Sequence, residues 1–285
     1  MDDAVLPDVT GPLPRVSALS PLRQRIAGHS VISELLSVQQ AAGQRSSLAR
    51  LIGISPLLEN ARPWYWGALG EISVGRLLAK LPEGCHVLHA VPVGRGSSDI
   101  DHVVIGPGGV FTINTKNHSG QKVWVAGRTF MVAGQKQPHI RNAEHEAERA
   151  ARLLSAAADA QVEVTPVVAV VEPQSLTVRE KPATVVVLTA AQLVQWLKKR
   201  PQVYSADHVS WLLRAANAPG TWHVAPAESQ PASALQTAFS GLDKEVRGAR
   251  SVRRVWGISL AGGGAVAALT VGPDLLQGLL RALVA

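Results

Sequence analysis

The stretch SDIDHVVIGPGGVFTINTKNH, residues 98–118, sets charged and amide side chains at both ends of what reads as a buried hairpin. Side chains alternate faces along a strand. Asp99 and Asp101 therefore share a face that continues as Val103 and Ile105. On the second strand Thr112, Asn114 and Lys116 share a face, opposite Phe111, Ile113 and Thr115. A hairpin closed through GPGG pairs residues near 105 with residues near 110, which brings Asp101 beside Asn114 to within one register step. One end of a sheet then gathers Asp99, Asp101, Asn114 and Lys116. Hard oxygen donors beside a lysine suit a divalent cation such as Mg²⁺ and a phosphodiester. The cation lowers the pKa of a bound water and offsets charge on the phosphate, and the lysine stabilises that charge or orients the water. A solvated strand end with ordinary ion pairs is the competing reading of the same spacing.

A further carboxylate comes from upstream. GALGEISVGRLLAKL (67–81) reads as a helix, and residues 71, 74, 78 and 81 share one of its faces. Glu71 thus lies on a stripe otherwise made of Val74, Leu78 and Leu81. Burying it unpaired is costly. Alternatively, its place near the helix start gives it water and a favourable dipole. Trp64 and Trp66 read as core, or else as aromatics that close a groove beside Glu71 and stack on bases. His102 points away from Asp101. Glu144, Glu146 and Glu148, with Arg141, Arg149 and Arg152, read as a solvated helix face with spaced ion pairs.

The elements that must hold these residues follow from periodicity and turn signals. Strands are expected near 86–92, 99–105, 110–116 and 122–126, separated by pieces such as GRGSS and GPGG. A charged helix is expected over 141–160, and VTPVVAVVE and ATVVVLT read as strands buried on both faces. Two helices follow, AAQLVQWLKKR and SADHVSWLLRAAN. This order predicts an α/β fold with a mixed central sheet flanked by helices. Residues 1–60 read as an irregular, partly helical lead, 61–225 as the main domain and 226–243 as a linker.

Residues 244–285 read as a basic segment and a membrane tail. Val255 to Pro273 holds nineteen residues without a charge, about the length of a bilayer-spanning helix. Lys244, Arg247, Arg250 and Arg254 precede that run at spacings of three and four, which suits anionic headgroups on the cytoplasmic side. A glycine-rich helix buried in the domain is the alternative. The N-terminus carries no apolar signal segment. The lone Cys85 excludes a disulfide framework and fits a reducing compartment. The expected location is the cytoplasmic side of the cell membrane, or the cytoplasm itself if the tail is a core helix. Net charge is +7, of which residues 61–225 carry +5, as suits an anionic partner.

GALGE (67–71) and DIDHVVIGPGGVFTINTKNHSG (99–120), with the helix and strand pattern that follows to about residue 190, resemble the nuclease-related domain family, NERD. The resemblance implies a restriction-endonuclease-like fold of the PD-(D/E)xK superfamily and a hydrolase that cuts DNA with Mg²⁺, or Mn²⁺ in its place. It puts Glu71 in the role of the helix acid, Asp101 in that of the strand aspartate and Lys116 in that of the lysine of the (D/E)xK step. The acid two residues before that lysine is here Asn114, which can ligate a cation through its amide oxygen but brings no charge. Glu71, Asp101 and Asn114 are the implied metal ligands; outside the family pattern, the Thr115 carbonyl is expected as a further ligand, and Asp99, on the same face, is expected to offset part of the missing charge. Asn117, His118 and Gly120 match the turn that trails the motif. A weakened site that only grips nucleic acid, and a membrane-tethered scaffold for proteins, stand as alternatives.

Overall fold

The computed structural model describes residues 21–43, 45–93, 98–223 and 230–270. After a 3-10 turn at Pro21–Gln24 come α1 (His29–Gln39), α2 (Ser47–Leu51) and α3 (Arg62–Leu78). Then follow β1 (His86–Pro92), β2 (Asp99–Gly106), β3 (Gly109–Asn117), β4 (Lys122–Ala126), β5 (Thr129–Val132) and β6 (Gln135–Gln137). The chain continues as α4 (His139–Ala158), β7 (Val164–Val171), β8 (Ser175–Glu180), β9 (Val186–Thr189), α5 (Ala190–Lys198), α6 (Ala206–Asn217) and α7 (Ala232–Thr270).

The hairpin forms through the glycine-rich turn, with Gly106 opposite Gly109 and Ile105 opposite Val110. It is the centre of a five-stranded mixed sheet in the order β1-β2-β3-β7-β9. β1, β2 and β3 are antiparallel, whereas β3, β7 and β9 run parallel. One face carries Val104, Phe111, Ile113, Val167 and Ala169 against Val74 and Leu78 of α3 and Leu193 of α5. Val103, Ile105 and Val110 instead pack with Ala150 and Leu154 of α4 and Leu212 of α6. With both faces covered, β7 reads as an unbroken apolar run.

A smaller sheet, in the order β6-β5-β4-β8, lies beside the first. Val123, Val125 and Phe130 from it share a core with Ile140 and Ala143 of α4 and Val168 and Val170 of β7. Of its strands, β4 is expected from the sequence. β5 and β6 have only four and three residues, and the side chains of β8 are mostly exposed. None of these three carries an apolar alternation long enough to register as a strand.

The mixed α/β architecture agrees with the sequence reading, but a membrane-spanning tail does not. Among the described residues no helix is long and apolar enough to cross a membrane. The uncharged run is described only as far as Thr270, and any eighteen-residue stretch of described helix covering it takes in Arg253 and Arg254. Residues 271–285, which include the end of that run, lie outside the described residues. Residues 232–243, read as linker, are instead the first three turns of α7. That helix lies along the domain. Leu235, Phe239 and Val246 are buried with Ile32 and Leu35 of α1 and Tyr65 and Ala68 of α3. The Tyr65 hydroxyl donates to Asp243 (2.7 Å), and the Trp256 indole N–H donates to the Leu51 carbonyl (2.9 Å). A Cβ on Gly53, whose φ is +73°, would sit 2.6 Å from the Ala249 carbonyl oxygen, so only glycine lets the two backbones meet there. Leu235 and Phe239 of the segment read as linker, and Val246 of the basic segment, are thus ordinary core, whereas Val255 and Ile258 of the uncharged run are exposed.

Candidate active site

The site forms where the hairpin comes apart. The β2–β3 ladder runs from Gly106↔Gly109 to His102↔Ile113. Beyond it Asp99 and Ile100 stay paired with β1, while Asn114 to Asn117 stay paired with β7. The two strands therefore follow different neighbours and a notch opens in the sheet. The Asp101 carboxylate spans it, with the Thr115 backbone N–H donating to Asp101 Oδ2 at 2.6 Å. A side chain here satisfies the amide that the parting of the strands leaves without a ladder partner.

α3 crosses beside this notch at short range. A Cβ on Gly70 would stand 3.1 Å from Asn117 Cβ and 3.4 Å from a Thr115 methyl. The next residue is Glu71, which is buried. Burial holds its carboxyl well above the usual carboxylate range, the negative charges of Asp101 and Asp99 push it further, and Lys116 and the Gly28 backbone N–H act against them. Asp101 is raised from 3.8 to about 6, chiefly by burial, against the opposing pull of Lys116 and the Thr115 N–H. Glu71, Asp99, Asp101 and Lys116 are thus close enough to feel one another electrostatically, although α3 and α4 lie on opposite sides of the sheet.

Asn114 is buried and directs its amide at a residue the sequence reading placed in solvent. Its Nδ2 donates to Glu146 Oε1 at 2.6 Å. Glu146 is on α4, and burial together with the charge of Asp101 raises it from 4.5 to about 7, against the Asn114 hydrogen bond and the charge of Lys116. Its neighbour Glu144 is also largely covered, its side chain 15% exposed, and is held by a 3.0 Å contact from Arg128 and a hydrogen bond from the Thr184 hydroxyl. The signal for Glu146 was present in the chain. Ala143, Ala147, Ala150 and Leu154 make the buried stripe of α4, and position 146 follows 143 by three and precedes 150 by four. Small alanines on that stripe let the helix approach the sheet closely.

The donor set fits a hard cation. Glu71 Oε2, Asp99 Oδ2, Asn114 Oδ1 and Glu146 Oε2 are all buried, and none has a hydrogen-bond partner among the described residues. Buried oxygens left unpaired are costly unless a cation or water meets them. Among the described residues no three His, Cys, Asp or Glu side chains are grouped as a ready metal cage. That looser arrangement is compatible with Mg²⁺, which keeps several waters and takes one or two carboxylates from a protein.

The residues after Lys116 frame the notch. Asn117 Nδ2 donates to the Trp66 carbonyl at 2.8 Å, tying the strand end to the start of α3. The His118 and His139 rings stack with their Nε2 atoms 3.0 Å apart. Burial and the Lys116 charge lower both, His139 to about 3, which favours the neutral form of each ring. Asp99 is held from behind: it accepts a hydrogen bond from Ser30 and lies near Arg25, both from the segment before α3, yet burial still raises it. On the far side of the sheet His102 pairs with His89, Nδ1 to Nδ1 at 2.8 Å.

The raised carboxylates give the metal-free chain a definite pH dependence. Glu146 titrates near 4.5 when unfolded and near 7 when folded. Between those values the folded state holds more protons, so stability falls as pH rises through the window. The drop from Glu146 alone is on the order of 3 kcal/mol. Urea denaturation in EDTA should show the midpoint falling from pH 5 to pH 8, and Glu146→Gln should flatten the profile. An equally steep profile in the variant would mean that Glu146 is not the group responsible.

Comparison with known proteins agrees with this geometry in extent. Residues 66–171 match the family model described as the nuclease-related domain, a span that holds every residue of the notch. An uncharacterized protein of Bacillus anthracis is 39% identical over 84 residues, which are 28% of this chain and 38% of that relative. The match therefore spans well under half the length of either protein. No solved structure matches significantly.

Proposed function

With residues 66–171 being a nuclease-related domain, we propose that the chain is a metal-dependent phosphodiesterase acting on nucleic acid, with DNA the expected substrate. The observation that carries this is the set of unpaired, buried carboxylate oxygens of Glu71, Asp99 and Glu146 in the electrostatic neighbourhood of Asp101 and Lys116. Asp101 and Glu146 would hold the cation, with Glu71 and the Asn114 amide oxygen as further donors. Bound Mg²⁺ or Mn²⁺ supplies a water of lowered pKa and positive charge against the phosphate. The Lys116 ammonium meets the non-bridging phosphate oxygens as they gain charge. Glu146 restores the negative charge that Asn114 lacks, delivered from a helix rather than from the strand. The notch lies between covered sheet faces, which limits water around the carboxylates and strengthens their pull on a cation.

The test is cleavage of plasmid and linear DNA by the full chain with Mg²⁺, with Mn²⁺ and with EDTA. We expect nicking that needs the cation and is lost in Lys116→Ala by a factor on the order of 10² to 10³. Cleavage that survives both EDTA and Lys116→Ala would remove the reading. A nucleic-acid-binding module without catalysis is the second reading. It draws on the raised pKa values of Asp101 and Glu146, which leave these groups partly protonated near neutral pH and weaken a cation's hold. Binding without cleavage at pH 8, where both are ionised, would favour it.

A further inference from the structure

We propose that α7 is the strand-guiding wall of this site: a single-stranded nucleic acid runs from the notch with a base on Trp66 and its phosphates along Lys244, Arg247 and Arg254. The inference rests on the notch being a nucleic-acid site and adds the partner's form and its path. Three independent features carry it.

The first is position. Trp66 is five residues before Glu71, about 7.5 Å along the axis of α3, and its carbonyl accepts from Asn117, the residue after Lys116. A nucleotide adjoining the scissile phosphate therefore comes within reach of Trp66. The second is exposure. Trp64 is 40% and Trp66 38% exposed, although both sit on a helix whose neighbours Tyr65 and Ala68 are fully buried. Exposed indoles beside a phosphate site act as stacking platforms, because every base has a π-face. The third is charge. The Arg250 guanidinium lies 4.6 Å from the Trp66 ring centroid, so α7 brings a cation directly onto that platform. From there Lys244, Arg247 and Arg254 are exposed and recur at helical spacing over about 15 Å. Apolar packing does not account for them, since Leu235, Phe239, Val246 and Ala249 do the docking of α7, although Arg247 also pairs with Asp243 at 2.7 Å. The described part of α7 carries Lys244, Arg247, Arg250, Arg253 and Arg254 against Asp243 and Glu245, a net positive surface for a polyanion.

A duplex presents no free base faces for Trp66, whereas a single strand or a frayed end does. The experiment measures anisotropy of a labelled oligothymidylate with the full chain in EDTA, as a function of salt. The Lys244→Gln/Arg247→Gln/Arg254→Gln chain should bind on the order of 100-fold more weakly at about 0.1 M salt, with a slope of log K against log salt shallower by about 2. Trp66→Leu should weaken binding about tenfold and leave the salt slope unchanged. Circular dichroism checks that each variant is folded. A folded triple variant that binds as the parent does would overturn the inference while leaving the nuclease reading intact wherever the parent still cleaves. A parent that neither binds the oligonucleotide nor cleaves would remove both. Sedimentation with phosphatidylglycerol vesicles is the control for the other anionic surface. Vesicle binding that the triple variant loses, with oligonucleotide binding unchanged, would assign the stripe to lipid and overturn the inference.

Discussion

An Asp101→Asn chain should fold normally and fail to cut. The Asp101 carboxylate does two things, and the substitution separates them. Its Oδ2 accepts the Thr115 N–H across the notch, and an asparagine carbonyl oxygen can still accept that bond. Its charge, which the neighbouring Lys116 favours, is removed. Losing an anionic ligand forfeits several kcal/mol of cation and transition-state stabilisation, so the rate should fall by a factor on the order of 10² to 10³. Asp101→Ala is the poorer probe. It would also leave the Thr115 amide unsatisfied, at about 1–3 kcal/mol, and loss of fold would mimic loss of chemistry. The measurement is single-turnover cleavage at saturating Mg²⁺ beside a thermal melt. Full activity in a well-folded Asp101→Asn chain would take Asp101 out of the metal site.

The second large effect is an exchange of residues between strand and helix. Asn114 and Glu146 form one amide–carboxylate pair at 2.6 Å. Glu146→Gln removes the carboxylate and should weaken the cation on the order of 10- to 100-fold. Asn114→Asp alone sets two carboxylates in contact, and without a cation one of them must keep a proton. That variant should melt earlier than the parent in EDTA and gain more from added Mg²⁺. Asn114→Asp with Glu146→Gln restores one carboxylate and one amide in reversed order. Cleavage by this double variant should return to within about tenfold of the parent. Calorimetric Mg²⁺ titration and cleavage rates of the four chains close the cycle. A double variant as inactive as Glu146→Gln would show that Glu146 does not do the work of the missing strand acid.

The chain by itself determined the parts of the site that depend on local order. Period-two alternation and the GPGG turn specify which residues of β2 and β3 share a face, and hence that Asp99 and Asp101 lie with Asn114 and Lys116. The 3.6-residue period of α3 puts Glu71 on its buried stripe. These are nearest-neighbour properties of backbone geometry, and no distant contact is needed to state them. Tertiary structure decided the rest. That the ladder stops at His102↔Ile113 depends on β1 and β7 competing for the two strands. That Glu146 faces Asn114 depends on how closely an alanine stripe lets α4 approach the sheet, although its place on that stripe was legible. The fate of the C-terminal segment turned on the same distinction. Residues 232–249 read locally as linker and basic segment, a pattern that is the same whether their scattered apolar side chains meet solvent or protein. Leu235, Phe239 and Val246 settle against α1 and α3 because those helices present a complementary apolar surface, and a surface assembled from three separate stretches of chain is written in none of them alone.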